Sequence, residues 1–292
     1  MSKADDVRTL VTESRSLGRP LVMGGVFDGL TTRLADRAGF EILFAGGFSV
    51  AATHLGEPDM GYLTQSEMAA TARRICRLTD RPILIDADTG YGNPLSVLRT
   101  VELWHSAGAA GLFLEDQVWP KRCGHMRGKA VVERDEWLNK LRAVRSAQPA
   151  QDLFLVARTD SRAVLGLDEA IERGKAARDL GADAVFVEAP QSVAEMEAIA
   201  TAIPGPKVAN MVEGGQTPLL GPDQLHELGF DMIVHPLTAL LASTRAIADA
   251  YRRLRKEGTS RNFTDKLASF DEFNEIIDLE RHYQLDAKLA GR

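Results

Sequence analysis

The chain has little cysteine, no long apolar run and no excess of positive charge, and each shortage removes a class of function. Cys76 and Cys123 are the two cysteines in 292 residues. They suggest no disulfide framework and fit a reducing cytoplasm. No stretch approaches the ~18 apolar residues of a membrane span, and the polar opening up to Ser14 does not read as a secretory signal. A net charge of −6 argues against nucleic acid or an anionic membrane as partner. A small anionic substrate must therefore be held by a local cationic site. Also missing are a Gly-x4-Gly-Lys-Ser/Thr phosphate loop, a Ser-His-Asp arrangement, and any internal repeat or low-complexity tract.

What is present is an ordinary globular composition, 45% hydrophobic and 26% charged, long enough for two domains or one large barrel. Short apolar runs read as eight strands, over residues 20–24, 41–45, 82–86, 110–114, 152–158, 184–188, 207–210 and 232–235. Helical spacing predicts helices up to Leu17 and over residues 28–38, 95–107, 135–147, 167–180, 193–203, 222–228 and 237–254. Another contains Cys76 and is capped by Thr64 or Ser66, after a longer loop through residues 56–61. Strands alternating with helices imply a parallel sheet covered by helices. Eight such units suggest the α/β class, a (β/α)8 TIM-type barrel. A doubly wound open sheet would want a Gly-rich phosphate fingerprint after the first strand, and Met23-Gly24-Gly25-Val26-Phe27-Asp28 does not supply one. Residues 1–257 make one catalytic barrel domain. In residues 258–292 a polar linker precedes Phe263, Leu267, Phe270, Phe273, Ile276, Ile277 and Leu279, mostly at helical spacing. That much apolar surface should pack on the barrel or serve subunit association.

The site of such a barrel lies at the C-terminal strand ends. These ends carry Asp86 and Asp88, Glu115 and Asp116, Arg158 and Asp160, Glu188, Asn210 and His235. Gly46 and Gly47 follow the second strand, with Asp59 in the loop beyond. One polar strand end often only caps the next helix; a consecutive series does not. Asp59, Asp86, Asp88 and Glu115 would repel one another unless a cation sat among them. All-oxygen ligands suit Mg2+ or Mn2+, held directly by one carboxylate and through water by the others. Zinc is disfavoured, since Cys123 and His125 lack spaced Cys/His partners. Arg158, Lys121, Asn210 and the amides near Gly46 and Gly47 can bind a carboxylate- or phosphate-bearing substrate. Cys123 lies beside Arg122 and His125, and positive neighbours lower a thiol pKa. Nucleophile and proton donor both stay open for it.

The segments Asp86-Ala87-Asp88-Thr89-Gly90-Tyr91-Gly92, Leu114-Glu115-Asp116-Gln117 and Lys121-Arg122-Cys123-Gly124-His125 resemble the isocitrate lyase and phosphoenolpyruvate mutase superfamily. Ala157-Arg158-Thr159-Asp160, Val187-Glu188-Ala189 and Asn210-Met211-Val212-Glu213-Gly214-Gly215 extend the match, in order from about residue 20 to the C-terminus. The run from Lys121 to His125 resembles the carbon–carbon lyases, those of 2,3-dimethylmalate first and of 2-methylisocitrate next.

The resemblance implies a barrel whose last helix is swapped between subunits, in dimers that pair into a homotetramer. It implies Mg2+ or Mn2+ held directly at Asp86, with Asp59, Asp88 and Glu115 acting through water, and a gating loop over residues 118–132. The implied reaction is retro-aldol cleavage of a 2-hydroxy dicarboxylate to a 2-oxo acid such as pyruvate plus a carboxylic acid. In it Cys123 is the general acid and Arg158 stabilises negative charge. Glu188 and Asn210 position substrate, and Lys121 and His125 hold the closed loop. Met126 stands where Arg is common, Val212 where Thr is common and Gly46 where Ser is common. These departures point to a dicarboxylate with small alkyl groups. The alternatives are an oxaloacetate decarboxylase or 2-oxo acid hydrolase, which needs no thiol donor, and a phosphonate-related mutase or hydrolase. A non-catalytic or phosphonate-binding relative would be expected to lack some carboxylates, and none is missing.

Overall fold

The computed structural model describes residues 2–148 and 150–291. Helix α1 (Lys3–Leu17) precedes β1 (Leu21–Gly25), and strands and helices then alternate. They are α2 (Gly29–Arg37), β2 (Ile42–Ala45), α3 (Gly47–Val50), α4 (Gln65–Cys76), β3 (Ile83–Asp86), α5 (Pro94–Ala107) and β4 (Gly111–Leu114). There follow α6 (Arg134–Ser146), β5 (Phe154–Thr159), α7 (Arg162–Leu165), α8 (Leu167–Asp179), β6 (Ala184–Val187), α9 (Val193–Ala202) and β7 (Val208–Asn210). The chain closes with α10 (Pro222–Leu228), β8 (Met232–His235), α11 (Thr238–Glu257), α12 (Phe270–Ile276) and α13 (Leu279–Leu289). Every expected strand and barrel helix is present. Thr64, one of the two capping candidates, caps α4 by accepting the Glu67 amide.

The eight strands are parallel, in the order β6-β5-β4-β3-β2-β1-β8-β7. A bridge between Val185 and Lys207 joins the two ends and closes the barrel; there the Val185 amide donates to the Pro206 carbonyl at 3.0 Å. Successive residues of a strand face opposite ways, and the packing divides accordingly. Met23, Ile42, Phe44, Leu84, Phe113, Phe154, Val156, Phe186, Val208 and Val234 fill the barrel interior. Leu43, Ile85, Leu112, Leu114, Leu155, Val185 and Ile233 pack under the helices. Helix α1 plugs the N-terminal mouth, with Ala4, Val7 and Val11 joining the inner cluster. Of the barrel's two mouths, the C-terminal one is left for a site.

Three local features differ from expectation. A short helix, α3, and one π-helical turn (Ala51–Leu55) occupy the start of the long connection after β2. An extra turn, α7, follows β5. The C-terminal apolar segment is two helices, broken where Asp278 takes φ 61°, a left-handed conformation that Asp tolerates better than most residues. Helix α11 buries Leu240 alone and leaves Leu241, Ile247, Tyr251 and Leu254 exposed. An apolar groove lies between it and α2, lined by Leu34, Ala35, Phe40, Ala239 and Ala242. His235, a strand-end candidate, faces that groove rather than the barrel mouth, because it is one residue out of step with the inward Val234.

Candidate active site

Strand parity builds the site. Two residues beyond the inward Leu84, Phe113, Val156, Phe186 and Val208 stand Asp86, Glu115, Arg158, Glu188 and Asn210. The inward phenyl rings form the floor: Phe113 lies edge-on to Phe44 at 4.8 Å and to Phe186 at 6.0 Å. Arg158 sits over the Phe186 ring, 5.4 Å from its centroid. The roof is residues 118–132. They are tied down by the Val118 amide on the Ala130 carbonyl and the Cys123 amide on the Asp59 carbonyl. Gln117 clasps the Arg122 backbone from both sides. The space left beneath is about 50 Å³, and Asp59, Asp86, Cys123, Gly124, His125, Arg158, Glu188 and Asn210 all reach it.

One side of the mouth is acidic. Asp86 accepts the amides of Gly47 (3.1 Å) and Asp88 (3.0 Å). The Lys121 ammonium lies 2.7 Å from both Asp59 and Asp88, with its side chain 3% exposed. Burial pushes the Asp88 carboxyl up to about 6; Lys121 pulls it down, and Asp86 and Asp59 push it further up. Burial also holds Glu115 well above the usual carboxylate range. Burial would lower Lys121, yet Asp88 and Asp59 hold it well above an ordinary lysine.

The other side is organised by Arg158. Its Nε donates to Asp160 at 2.9 Å, and its Nη2 lies 3.3 Å from Glu115 and 3.3 Å from Glu188. Among the described residues, the hydrogen bonds and ion pairs of the guanidinium are made by Nε and Nη2 and none by Nη1. Glu188 accepts its neighbour's amide (Ala189, 2.9 Å) and the Asn210 side-chain amide (3.3 Å). His125 Nε2 lies 3.3 Å from Glu188. The Gln216 amide donates to His125 Nδ1 at 3.1 Å, so Nδ1 is the acceptor and Nε2 carries the proton toward Glu188.

These placements correct three expectations. Lys121 is not a free cation for substrate; two carboxylates already hold it. The Gly47 amide is spent on Asp86. The Cys123 thiol is not acidified. Burial pushes it up to about 12; the His125 amide and Arg158 pull it down, and Asp59 and Glu188 push it up. Arg122, the expected positive neighbour, turns outward to the Arg127 carbonyl. Gly46 does line the cavity, and a Cβ there would meet the Phe44 ring at 2.8 Å.

The carboxylates fit a hard divalent cation. Asp88 Oδ2 and both Glu115 oxygens are buried without a hydrogen-bond partner, a costly condition for a charged group. Among the described residues no three such donors converge as a finished coordination shell. Mg2+ typically keeps several waters and takes one or two carboxylates directly, and what these residues offer such an ion is the buried, unpartnered oxygens of Asp88 and Glu115.

Three participants carry no signal in the sequence beyond being polar. Asp160 is a strand-end residue, and nothing local marks it as the anchor of Arg158. Lys129 reaches in from the roof to Asp160 at 2.8 Å. Gln216 fixes the His125 tautomer. Asp116 faces away from the cavity: it binds Thr159, the Asp160 amide and Arg173, and braces the strand end from outside.

Comparison with known proteins gives this geometry its place. Residues 13–255 match the phosphoenolpyruvate phosphomutase family. A chloroplastic carboxyvinyl-carboxyphosphonate phosphorylmutase of Arabidopsis thaliana is 48% identical, over 93% of this chain and 81% of that one. The 2,3-dimethylmalate lyase of Eubacterium barkeri is 38% identical over 99% of both chains. Among solved structures, oxaloacetate acetylhydrolase bound to 3,3-difluorooxalacetate superposes with a TM-score of 0.93 at 36% identity, covering 100% of this chain and 98% of that one. A phosphonopyruvate hydrolase superposes at 0.87 with 27% identity, covering 98% and 99%, and holds oxalate and Mg2+. The chain belongs to the phosphoenolpyruvate phosphomutase family, within the PEP mutase/isocitrate lyase superfamily.

Proposed function

We propose that this protein is a Mg2+- or Mn2+-dependent lyase that cleaves a 2-hydroxy acid with a second carboxylate on the neighbouring carbon, first a dicarboxylate bearing small alkyl groups such as 2,3-dimethylmalate, and next the tricarboxylate 2-methylisocitrate. The products are a 2-oxo acid, pyruvate in the simplest case, and a carboxylic acid. The observation that carries this reading is a thiol kept protonated at the cavity wall, on a loop closed over Arg158.

The metal, held by Asp86 with Asp59, Asp88 and Glu115 around it, would supply Lewis-acid polarisation of the 2-hydroxyl and its carboxylate. Arg158 offers Nη1 to a substrate carboxylate and stabilises the charge that develops there. Phe44, Phe48, Phe186, Val212 and Leu237 give alkyl groups an apolar wall. The 2-hydroxyl gives up its proton to solvent; as the C2–C3 bond breaks, its electron pair goes to C3 and the oxygen becomes the carbonyl of the 2-oxo acid. Cys123 donates its proton to the C3 carbanion, and a solvent proton afterwards restores the Cys123 thiol. A thiol held at about 12 is fully protonated at neutral pH, as a donor must be. Glu188, Asn210 and His125 keep one another aligned beside it.

The reading includes subunit exchange of α11 and the C-terminal helices within a homotetramer. The exposed Ile247, Tyr251, Phe270 and Leu289 support it, as does the apolar groove beside α2. Among the described residues no helix is long and apolar enough to cross a membrane; the reading is of a cytoplasmic enzyme acting on small carboxylates.

The likeness to oxaloacetate acetylhydrolase over the whole chain favours one second reading, hydrolysis of oxaloacetate. A single assay separates the two. The protein and Mg2+ are mixed with 2,3-dimethylmalate, 2-methylisocitrate, isocitrate or oxaloacetate, and the products are identified. Pyruvate from a substituted malate is expected; turnover of oxaloacetate alone overturns the lyase reading.

A further inference from the structure

We propose that Lys129 is the latch of the roof loop and a positioning residue for Arg158. The inference rests on reading residues 118–132 as a lid.

The lid is an irregular segment whose charged residues behave in two ways. Arg122 and Arg127 remain at the surface. Lys121 and Lys129 turn inward, and each side chain is 3% exposed. Desolvating an ammonium is costly unless it is paired, so neither lysine is there by default. Lys121 serves the acidic side of the mouth, and Lys129 serves the Arg158 side.

The Lys129 ammonium makes two bonds at once. One goes to the Gly124 carbonyl, within the lid's own crest, between Cys123 and His125. The other goes to Asp160 Oδ1 at 2.8 Å, on the rigid strand end. That carboxylate is fully buried and is the one that holds Arg158 Nε at 2.9 Å through its second oxygen. Asp160 is itself fixed from behind, its amide donating to Asp116. A single ammonium thus pins the peptide beside Cys123 to the carboxylate that orients Arg158.

The consequence is directional. With the lid down, Asp160 is shared between two cations and its orientation is set by both. With the lid up, Lys129 leaves, and Arg158 is the remaining cation facing the buried carboxylates of Asp160, Glu115 and Glu188. Closure therefore restores charge balance at Arg158 and brings the thiol to its place in one movement.

The test compares Lys129→Met and Lys129→Arg with the parent protein. Amide hydrogen exchange is followed across residues 118–132 and, as an internal control, across β3 to β5. In Lys129→Met the lid amides should exchange at least ~10-fold faster while the strands stay at parent rates. Lys129→Arg, which keeps the charge, should recover most of the lid protection and most of the turnover lost by the Met variant. Lid exchange within two-fold of the parent in Lys129→Met overturns the proposal. So does a uniform rise across the barrel, or equal loosening in the Arg variant. The exchange readout needs no substrate, so it stands or falls separately from the proposed lyase activity.

Discussion

Gly124 lies against Glu188 so closely that a Cβ added to it would stand 2.4 Å from the Glu188 carboxylate. Glu188 cannot give way, because Arg158, Asn210, His125 and the Ala189 amide hold it. Gly124→Ala should therefore leave the lid propped open. Misplacement by about 1 Å can cost ~10²-fold in rate, so turnover should fall by that order while the melting temperature stays near the parent's. A fully active Gly124→Ala would mean that the closed arrangement is not the reacting one.

Cys123→Ser should reduce turnover by at least ~10²-fold if the thiol is the proton donor. Its raised pKa has a second consequence. A group at about 12 is protonated throughout the physiological range and loses its proton only as pH rises toward that value. Turnover should therefore show no alkaline fall from a thiol titrating near the ordinary value of about 8.5. Alkylation of Cys123 by iodoacetamide at about pH 8 should run at least ~10²-fold slower than that of free cysteine. Rapid alkylation at neutral pH would contradict a half-buried, neutral thiol.

Removing the divalent ion with a chelator should abolish turnover and Mg2+ should restore it. Asp86→Ala should not respond to the ion at any concentration, measured by product formation and by calorimetric titration with Mg2+. An Asp86→Ala variant that stays active after chelation would refute the assignment of the carboxylate cluster.

The Asp116–Arg173 pair is a stability device outside the cavity. Arg173 is 2% exposed and Asp116 fully buried, 3.0 Å apart. Asp116→Ala strips Arg173 of its deeper partner and frees Thr159 and the Asp160 amide. Breaking such a pair from one side costs about 3 kcal/mol, to be read as a lowered urea midpoint. A loss below about 1 kcal/mol would show that Glu169, the other partner of Arg173, suffices.

Tyr251 is 70% exposed on α11. If that face is covered by another subunit, Tyr251→Glu should shift the sedimenting species toward smaller assemblies at micromolar concentration. An unchanged sedimentation profile would count against exchange through α11.

Much of the site is readable in the chain because strands alternate. Leu84 with Asp86, Phe113 with Glu115 and Phe186 with Glu188 are pairs two residues apart, and the apolar partner tells which way the acid points. The same rule, applied to Val234, turns His235 away from the mouth. What is not readable is the lid. Residues 118–132 have no periodicity, so nothing local says that Lys129 is sunk and Arg127 is not. The pKa of Cys123 escapes a sequence reading for the same reason. Its cationic sequence neighbour, Arg122, leaves it in space, whereas burial and the distant Asp59 and Glu188 close on it. The kink at Asp278 and the stance of α11 depend on what each helix finds to pack against, which no short window of sequence contains.

The barrel wall acts as a reading frame for the chemistry above it. One residue inserted in the middle of β5 would carry Thr159 into the mouth and turn Arg158 toward α8, and the same shift in β6 would put Val187 in the place of Glu188. Length changes are therefore confined to the connections. Divergence in what such an enzyme cleaves has to proceed through the lid and the segment from Val212 to Thr217, while the charged strand ends stay in phase.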